Sequence, residues 1–178
     1  MITNDLATLM HVQQWLYREA RLLDSRRYDQ WLELLDESIC YRIPSRALVR
    51  QAHVKDFSTW SVERELESEG ALALIDDDFD ALRSRVEGLQ SGMAWAETPP
   101  SMSRRLVSNV MIDGVCDDCV LVVSTLFLAK SRGDGRVLFT AERRDKLAPN
   151  DGSDFRLRER YVVLDDAVLA ADNLSLLF

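Results

Sequence analysis

The sequence predicts an α+β fold in which helices come first and an antiparallel sheet comes last. Two observations carry this reading. Between Leu6 and Leu35 apolar residues recur every three or four positions. After Arg104, four long apolar-rich stretches are separated by short turn-forming segments. Length supplies a third constraint: 178 residues make one domain, residues 1–178. A chain of that size buries roughly 70% of its unfolded surface, enough for a core without staples.

The first element is a helix with Leu6, Leu9, Val12, Leu16, Ala20 and Leu23 on one side and Arg18 and Arg21 on the other. Asp24 and Ser25 are candidate caps for a second helix, because a short side-chain oxygen takes a free first-turn N–H. In that helix Tyr28, Trp31, Leu32 and Leu35 repeat at helical spacing. Two stripes with so short a break must face one core. Ile39 to Ile43 alternates and stops at Pro44, which predicts a short strand. Residues 45–70 are polar, hold Trp60 and an acidic run from Glu63 to Glu69, and predict a loop with a helical turn. Ala71 to Ile75 predicts a small strand. Asp76, Asp77 and Asp78 precede the stripe Phe79, Leu82, Val86, Leu89, and suit the positive end of a third helix. Ser91-Gly92 stops that helix, and Glu97-Thr98-Pro99-Pro100 is a loop.

The four long strands are expected at Arg104 to Val115, Cys119 to Ser131, Val137 to Leu147 and Phe155 to Leu164. Asp117-Asp118, Gly133-Asp134-Gly135 and Asn150-Asp151-Gly152 join them, and short joins make an antiparallel meander. The second strand is apolar on both faces: Leu121, Val123 and Phe127 on one, Val120, Val122, Leu126 and Leu128 on the other. Helices cover one face, and a second chain is expected on the other. Ser124, Thr125, Asn109 and Arg144 are candidates for setting register at that contact.

Composition excludes several classes. With 47% apolar and 29% charged residues the chain is not a disordered one. No apolar run reaches the roughly 18 residues of a membrane span, and Met1 to Asp5 lacks a signal-peptide pattern. Three cysteines cannot pair completely, which favours a reduced, cytoplasmic protein. A net charge of −8 argues against nucleic-acid binding.

Candidate chemistry is sparse. A Rieske cluster needs two Cys and two His ligands. Here His11 and His53 are the only histidines, and no Cys-x-His occurs. Ordinary histidines are favoured over a two-His-one-carboxylate site. Cys116 and Cys119 have zinc or redox spacing but flank an expected hairpin turn, and two incidental cysteines are the favoured reading. The Asp76–Asp78 run suits helix capping better than a divalent cation. Glu19 lies at the edge of the first stripe, and Arg143, Arg144 and Asp145 alternate in a strand. They fit acid–base work in a pocket, but buried pairs or interface contacts are favoured. No phosphate loop or nucleophile elbow stands out. No catalytic, cofactor-binding or metal residue is expected.

The run Tyr17 to Asp24 followed by Arg27 to Leu35 resembles the opening of the β (small) subunits of bacterial aromatic-ring-hydroxylating dioxygenases. Asp76 to Phe79, Leu82 to Val86 and Ala94 to Ser101 are similar to that family's middle segment. Arg104 to Val110, Phe139 to Leu147, and the tail Leu164-Asp165, Val168-Leu169 and Asn173 to Leu177 resemble its strands and ending. The resemblance implies a cone-shaped fold of the nuclear-transport-factor-2-like, cystatin-like type. A curved antiparallel sheet of five to six strands wraps around the N-terminal helices. It further implies a non-catalytic, iron-free structural subunit in aromatic compound catabolism. The expected partner is a large (α) subunit bearing a Rieske 2Fe–2S cluster and a mononuclear iron. The expected assembly is a homotrimer core within a hexamer of three large and three small subunits. The alternatives are an autonomous isomerase or dehydratase of the same cone fold, and a small-ligand binding protein.

Overall fold

The computed structural model describes residues 5–46, 66, 73–91, 101–116, 118–150, 154–166 and 177–178. The expectations for His53, Trp60, most of the Glu63 to Glu69 run, Gly92 and the Glu97–Pro100 loop lie outside the described residues.

Helix α1 (Leu6–Asp24) starts at Asp5, whose carboxylate accepts from the Thr8 N–H at 2.8 Å. It buries Val12, Trp15, Leu16, Glu19, Ala20 and Leu23. Leu6, expected in the stripe, is exposed. Periodicity places a residue on a face but does not say how far the covering surface extends. Ser25 is the C-cap of α1, donating to Arg21 O, and Arg26 then turns the chain at φ 57°. Asp24 and Ser25 therefore do not cap α2 (Tyr28–Leu32), whose N-cap is Arg27. The Asp24 carboxylate is taken instead by the Arg105 N–H at 3.0 Å and by Arg105 Nη1 at 2.6 Å.

Strand β1 (Leu35–Pro44) is longer than its predicted core, and β2 (Ala73–Asp77) pairs with it antiparallel. Asp76 and Asp77 belong to this strand. They meet Arg42 and Arg85, each at 2.6 Å, while Asp78 alone caps helix α3 (Phe79–Gln90), accepting from the Ala81 N–H at 2.9 Å. Helix α3 buries Leu82 and Val86. The four long strands follow as β3 (Met102–Cys116), β4 (Cys119–Arg132), β5 (Gly135–Asn150) and β6 (Asp154–Leu164).

All six form one sheet in the order β2-β1-β6-β5-β4-β3. It is mixed rather than wholly antiparallel: β1 runs parallel to β6. Hairpin turns dictate direction between sequence neighbours, but no turn joins β1 to β6, so their mutual direction follows from packing. The register shifts between Ser108 and Met111 and between Ile112 and Gly114 in β3, with Asn109 at φ 51°. Such bulges bend a strand and deepen the sheet's twist, giving a curved, cone-like wrap around α1. Val120, Val122, Leu126 and Leu128 of β4 point inward and share one core with Val12, Trp15, Leu16 and Leu23 of α1. Leu121, Val123 and Phe127 lie on the outer face, half-buried. Ser124 faces inward and is buried, so it does not belong to the outer contact surface with Thr125, Asn109 and Arg144.

Candidate functional site in the cone interior

Alternation along β5 turns Arg143 and Asp145 inward and Arg144 outward, where Arg144 meets Glu142 at 2.7 Å. Register places Asp145 opposite Arg160 of β6, and Tyr41 of β1 on the other side of Arg160. Helix α1 lowers Glu19 onto them. Glu19, Arg143 and Arg160 are 0% exposed and Asp145 is 2% exposed. Two carboxylates and two guanidiniums cancel, so the cone holds a neutral quartet of full charges.

The two arginines are served unequally. Arg160 spends all five N–H groups. Its Nε donates to Asp145 Oδ1 at 2.8 Å. Its Nη1 donates to Glu19 Oε1 at 2.6 Å and to the Phe178 carbonyl at 2.8 Å. Its Nη2 donates to Glu19 Oε2 and Asp145 Oδ2, both at 2.9 Å. Arg143 makes two longer bonds of 3.4 Å, to Ser124 Oγ and Glu19 Oε2. Its Nη2 has no partner among the described residues. Trp31 Nε1–H completes the set at Glu19 Oε1, 3.2 Å away.

Burial and charge pull against each other here. Burial pushes the Glu19 carboxyl up, but Arg160 and Arg143 outweigh it and hold the group below its ordinary value. Burial also lowers the Arg143 guanidinium, and the like charge of Arg160 adds to this. Burial disfavours the Arg160 cation too, yet Asp145 and Glu19 reverse the sign and raise it well above the usual arginine range. Burial raises the Tyr41 hydroxyl, which therefore stays protonated. A general acid or base needs reach to a substrate and a proton exchangeable near neutrality. Glu19 has neither: its oxygens are saturated by guanidinium and indole donors. The arrangement instead ties α1 and α2 to β5 and β6.

Other expected residues are placed as follows. His11 stacks on Phe155, with ring centroids 4.8 Å apart, and stands 3.9 Å from Asp154. Cys116, Asp118 and Cys119 offer ligand atoms within 4.8 Å of one another. However, Cys116 and Cys119 are joined as a disulfide and Asp118 is paired with Arg158. The expectation of two unpaired cysteines is thereby corrected. A tight hairpin sets them directly opposite on β3 and β4, Cα to Cα 5.0 Å, within disulfide range. Cys40 remains single and exposed, and burial followed by Asp76 raises its thiol pKa.

Sequence reading singled out Glu19, Arg143 and Asp145 but missed Arg160, Tyr41 and Trp31. One signal was available: Arg160 is a cation set among the apolar residues Leu157, Val162, Val163 and Leu164 of β6. Its partners depend on strand register, which no local pattern reveals.

A chain of a naphthalene 1,2-dioxygenase solved with indole bound in its active site superposes with a TM-score of 0.81 at 24% identity, over 98% of this chain and 87% of that one. The beta subunit of benzoate 1,2-dioxygenase from Burkholderia mallei gives 0.71 at 21% identity, over 99% and 100%. The beta subunit of an aromatic-ring-hydroxylating dioxygenase candidate from Novosphingobium aromaticivorans gives 0.70 at 20%, over 96% and 95%. These likenesses show a shared fold. The sequence profile described as "Ring hydroxylating beta subunit" matches residues 18–171, most of the chain and nearly all of the helix-and-sheet body that carries the quartet. This chain belongs to the ring-hydroxylating dioxygenase beta subunit family.

Proposed function

We propose that this chain works as a single domain, residues 1–178, and as the non-catalytic, assembly-forming subunit of the terminal oxygenase in an aromatic-ring-hydroxylating dioxygenase. The observation that supports this most is the sealed interior. Where an enzyme of cone shape keeps an open acid–base pocket, this chain packs a neutral, hydrogen-bonded quartet at 0–2% exposure. The described Cys116 and Cys119 do not fit the Rieske cluster of such a complex. A Rieske cluster takes two Cys and two His, whereas the described Cys–Asp–Cys group has its sulfurs bonded to each other. In this reading the Rieske 2Fe–2S cluster and the mononuclear iron belong to the large subunit, which is the partner.

Assembly is supported by the outer sheet face. Leu106 and Met111 are each 59% exposed there, above half-buried Leu121, Val123 and Phe127. Apolar surface left in water costs roughly 25 cal/mol per Å². A homotrimer core, closed by rotation and built into a hexamer with three large subunits, buries it without an open-ended contact. We place the protein in the cytoplasm. Among the described residues no helix is long and apolar enough to cross a membrane.

Native mass spectrometry of the chain, alone and with the large subunit of the same system, is the test. Trimers alone and three-plus-three complexes together are expected. Turnover of an aromatic substrate is expected only when the large subunit is present. A chain that stays monomeric and fails to bind any large subunit would overturn the proposal.

A further inference from the structure

The residues Leu177 and Phe178 are held in an unusual way. The Phe178 ring is fully buried, edge-on to Phe139 with centroids 5.4 Å apart. Main-chain groups of a packed tail are ordinarily met by a strand ladder or by water. Here they are met by side chains of three different strands. The Phe178 N–H donates to Tyr41 Oη at 2.7 Å, and the Tyr41 hydroxyl donates to Phe178 O at 3.0 Å. Arg160 Nη1 donates to that same oxygen at 2.8 Å. One residue back, Leu177 O accepts from Arg105 Nε at 3.2 Å and from Arg105 Nη2.

The two arginines are also held by other side chains. Asp24 holds Arg105 Nη1 at 2.6 Å. Glu19 and Asp145 hold Arg160. Burial keeps Tyr41 neutral, so that it serves as both donor and acceptor. A buried ring pocket, two arginines and one tyrosine thus recognise the Leu177 acyl oxygen, the Phe178 N–H, its aromatic ring and its own carbonyl oxygen. Preorganised donors around a concave apolar pocket are how ligand sites are built.

We propose that this part of the cone is a recognition site for an N-acylated L-aromatic amino acid unit, occupied in the chain by its own Phe178. The inference does not depend on the subunit assignment. Its ligand class follows from the four groups recognised. Its handedness follows from fixed partners on both sides of the Phe178 Cα.

The test uses the full-length chain carrying Leu177→Gly and Phe178→Gly, which removes both buried side chains so that a probe displaces the main chain from Tyr41, Arg105 and Arg160. N-acetyl-L-phenylalanine is expected to bind this variant in calorimetry and to raise its Tm, while the unmodified chain binds none. N-acetyl-D-phenylalanine and propylbenzene are expected to bind about tenfold more weakly or worse, since each forfeits hydrogen bonds to charged groups. Equal binding of the three probes would mean an apolar hole alone and would overturn the proposal, as would no binding by the folded variant. If that double variant fails to fold, full-length Tyr41→Phe is read by native-state hydrogen exchange. Exchange of the Phe178 N–H is expected to accelerate about tenfold while that of Leu126 moves less than about twofold. Equal acceleration of both amides, or none, would show the tail to be an ordinary part of the core.

Discussion

Arg160 and Arg143 carry the same charge on neighbouring strands, yet the molecule depends on them differently. Removing Arg160 strands Glu19 and Asp145 in the core, and breaking such a buried pair costs about 3–5 kcal/mol. Arg143 makes only two bonds of 3.4 Å and leaves Nη2 unmet among the described residues. Urea unfolding should therefore show Arg160→Met in the range above, and Arg143→Met milder by at least about 1 kcal/mol. Glu19 sets a pH dependence as well. Its folded pKa lies below the ordinary 4.5, so its contribution is complete above pH 4.5 and disappears as pH falls through the folded value. Asp36, lowered by the Ser38 hydroxyl and N–H, acts in the same acid window. Glu19→Gln should flatten the loss of stability below pH 4.5 without abolishing it, as followed by urea midpoints across that range. Tyr41 has the opposite sense. Burial raises its pKa above 10.0, so its contribution is present below pH 10.0 and lost as pH climbs through the folded value.

At the scale of elements, capping and pairing divide the three aspartates before α3. Asp78 satisfies the Ala81 N–H, and a lost N-cap costs about 0.5–2 kcal/mol. Asp76 sits on β2 in an ion pair whose carboxylate is more than half exposed, and such pairs contribute about 0.2–1 kcal/mol. Thermal unfolding should thus place Asp78→Ala below Asp76→Ala in Tm. Adjacent carboxylates looked alike in sequence because all three precede an apolar stripe. Their roles diverge because β2 runs on through Asp77 before the helix begins.

For the whole molecule, the curved sheet has an inner face packed on α1 and an outer face on which Leu106 and Met111 are exposed. Leu106 and Met111 contribute little to the monomer, since more than half of each is already in water. Leu106→Asp combined with Met111→Asp should leave monomer stability within about 1 kcal/mol. The same pair should abolish trimers in native mass spectrometry and large-subunit capture in pull-downs. Intact assembly in the double variant would move the contact to another face.

Helix and strand identities were legible from the chain alone because their signals are local. The stripe from Val12 to Leu23, the alternation in β4 and β5, and the turns between the long strands each lie within a few residues. The overall resemblance was legible too, because it rests on the order of such segments. What the tertiary structure alone decided is everything set by register between distant segments. It ran β1 parallel to β6, and it sent Asp24 to Arg105 rather than to a helix cap. It also gathered Glu19, Tyr41, Asp145 and Arg160 from four separate elements around the backbone of Phe178. Strand direction, and the choice of partner for a buried charge, are minimised over the whole fold at once. No window of neighbouring residues contains those partners.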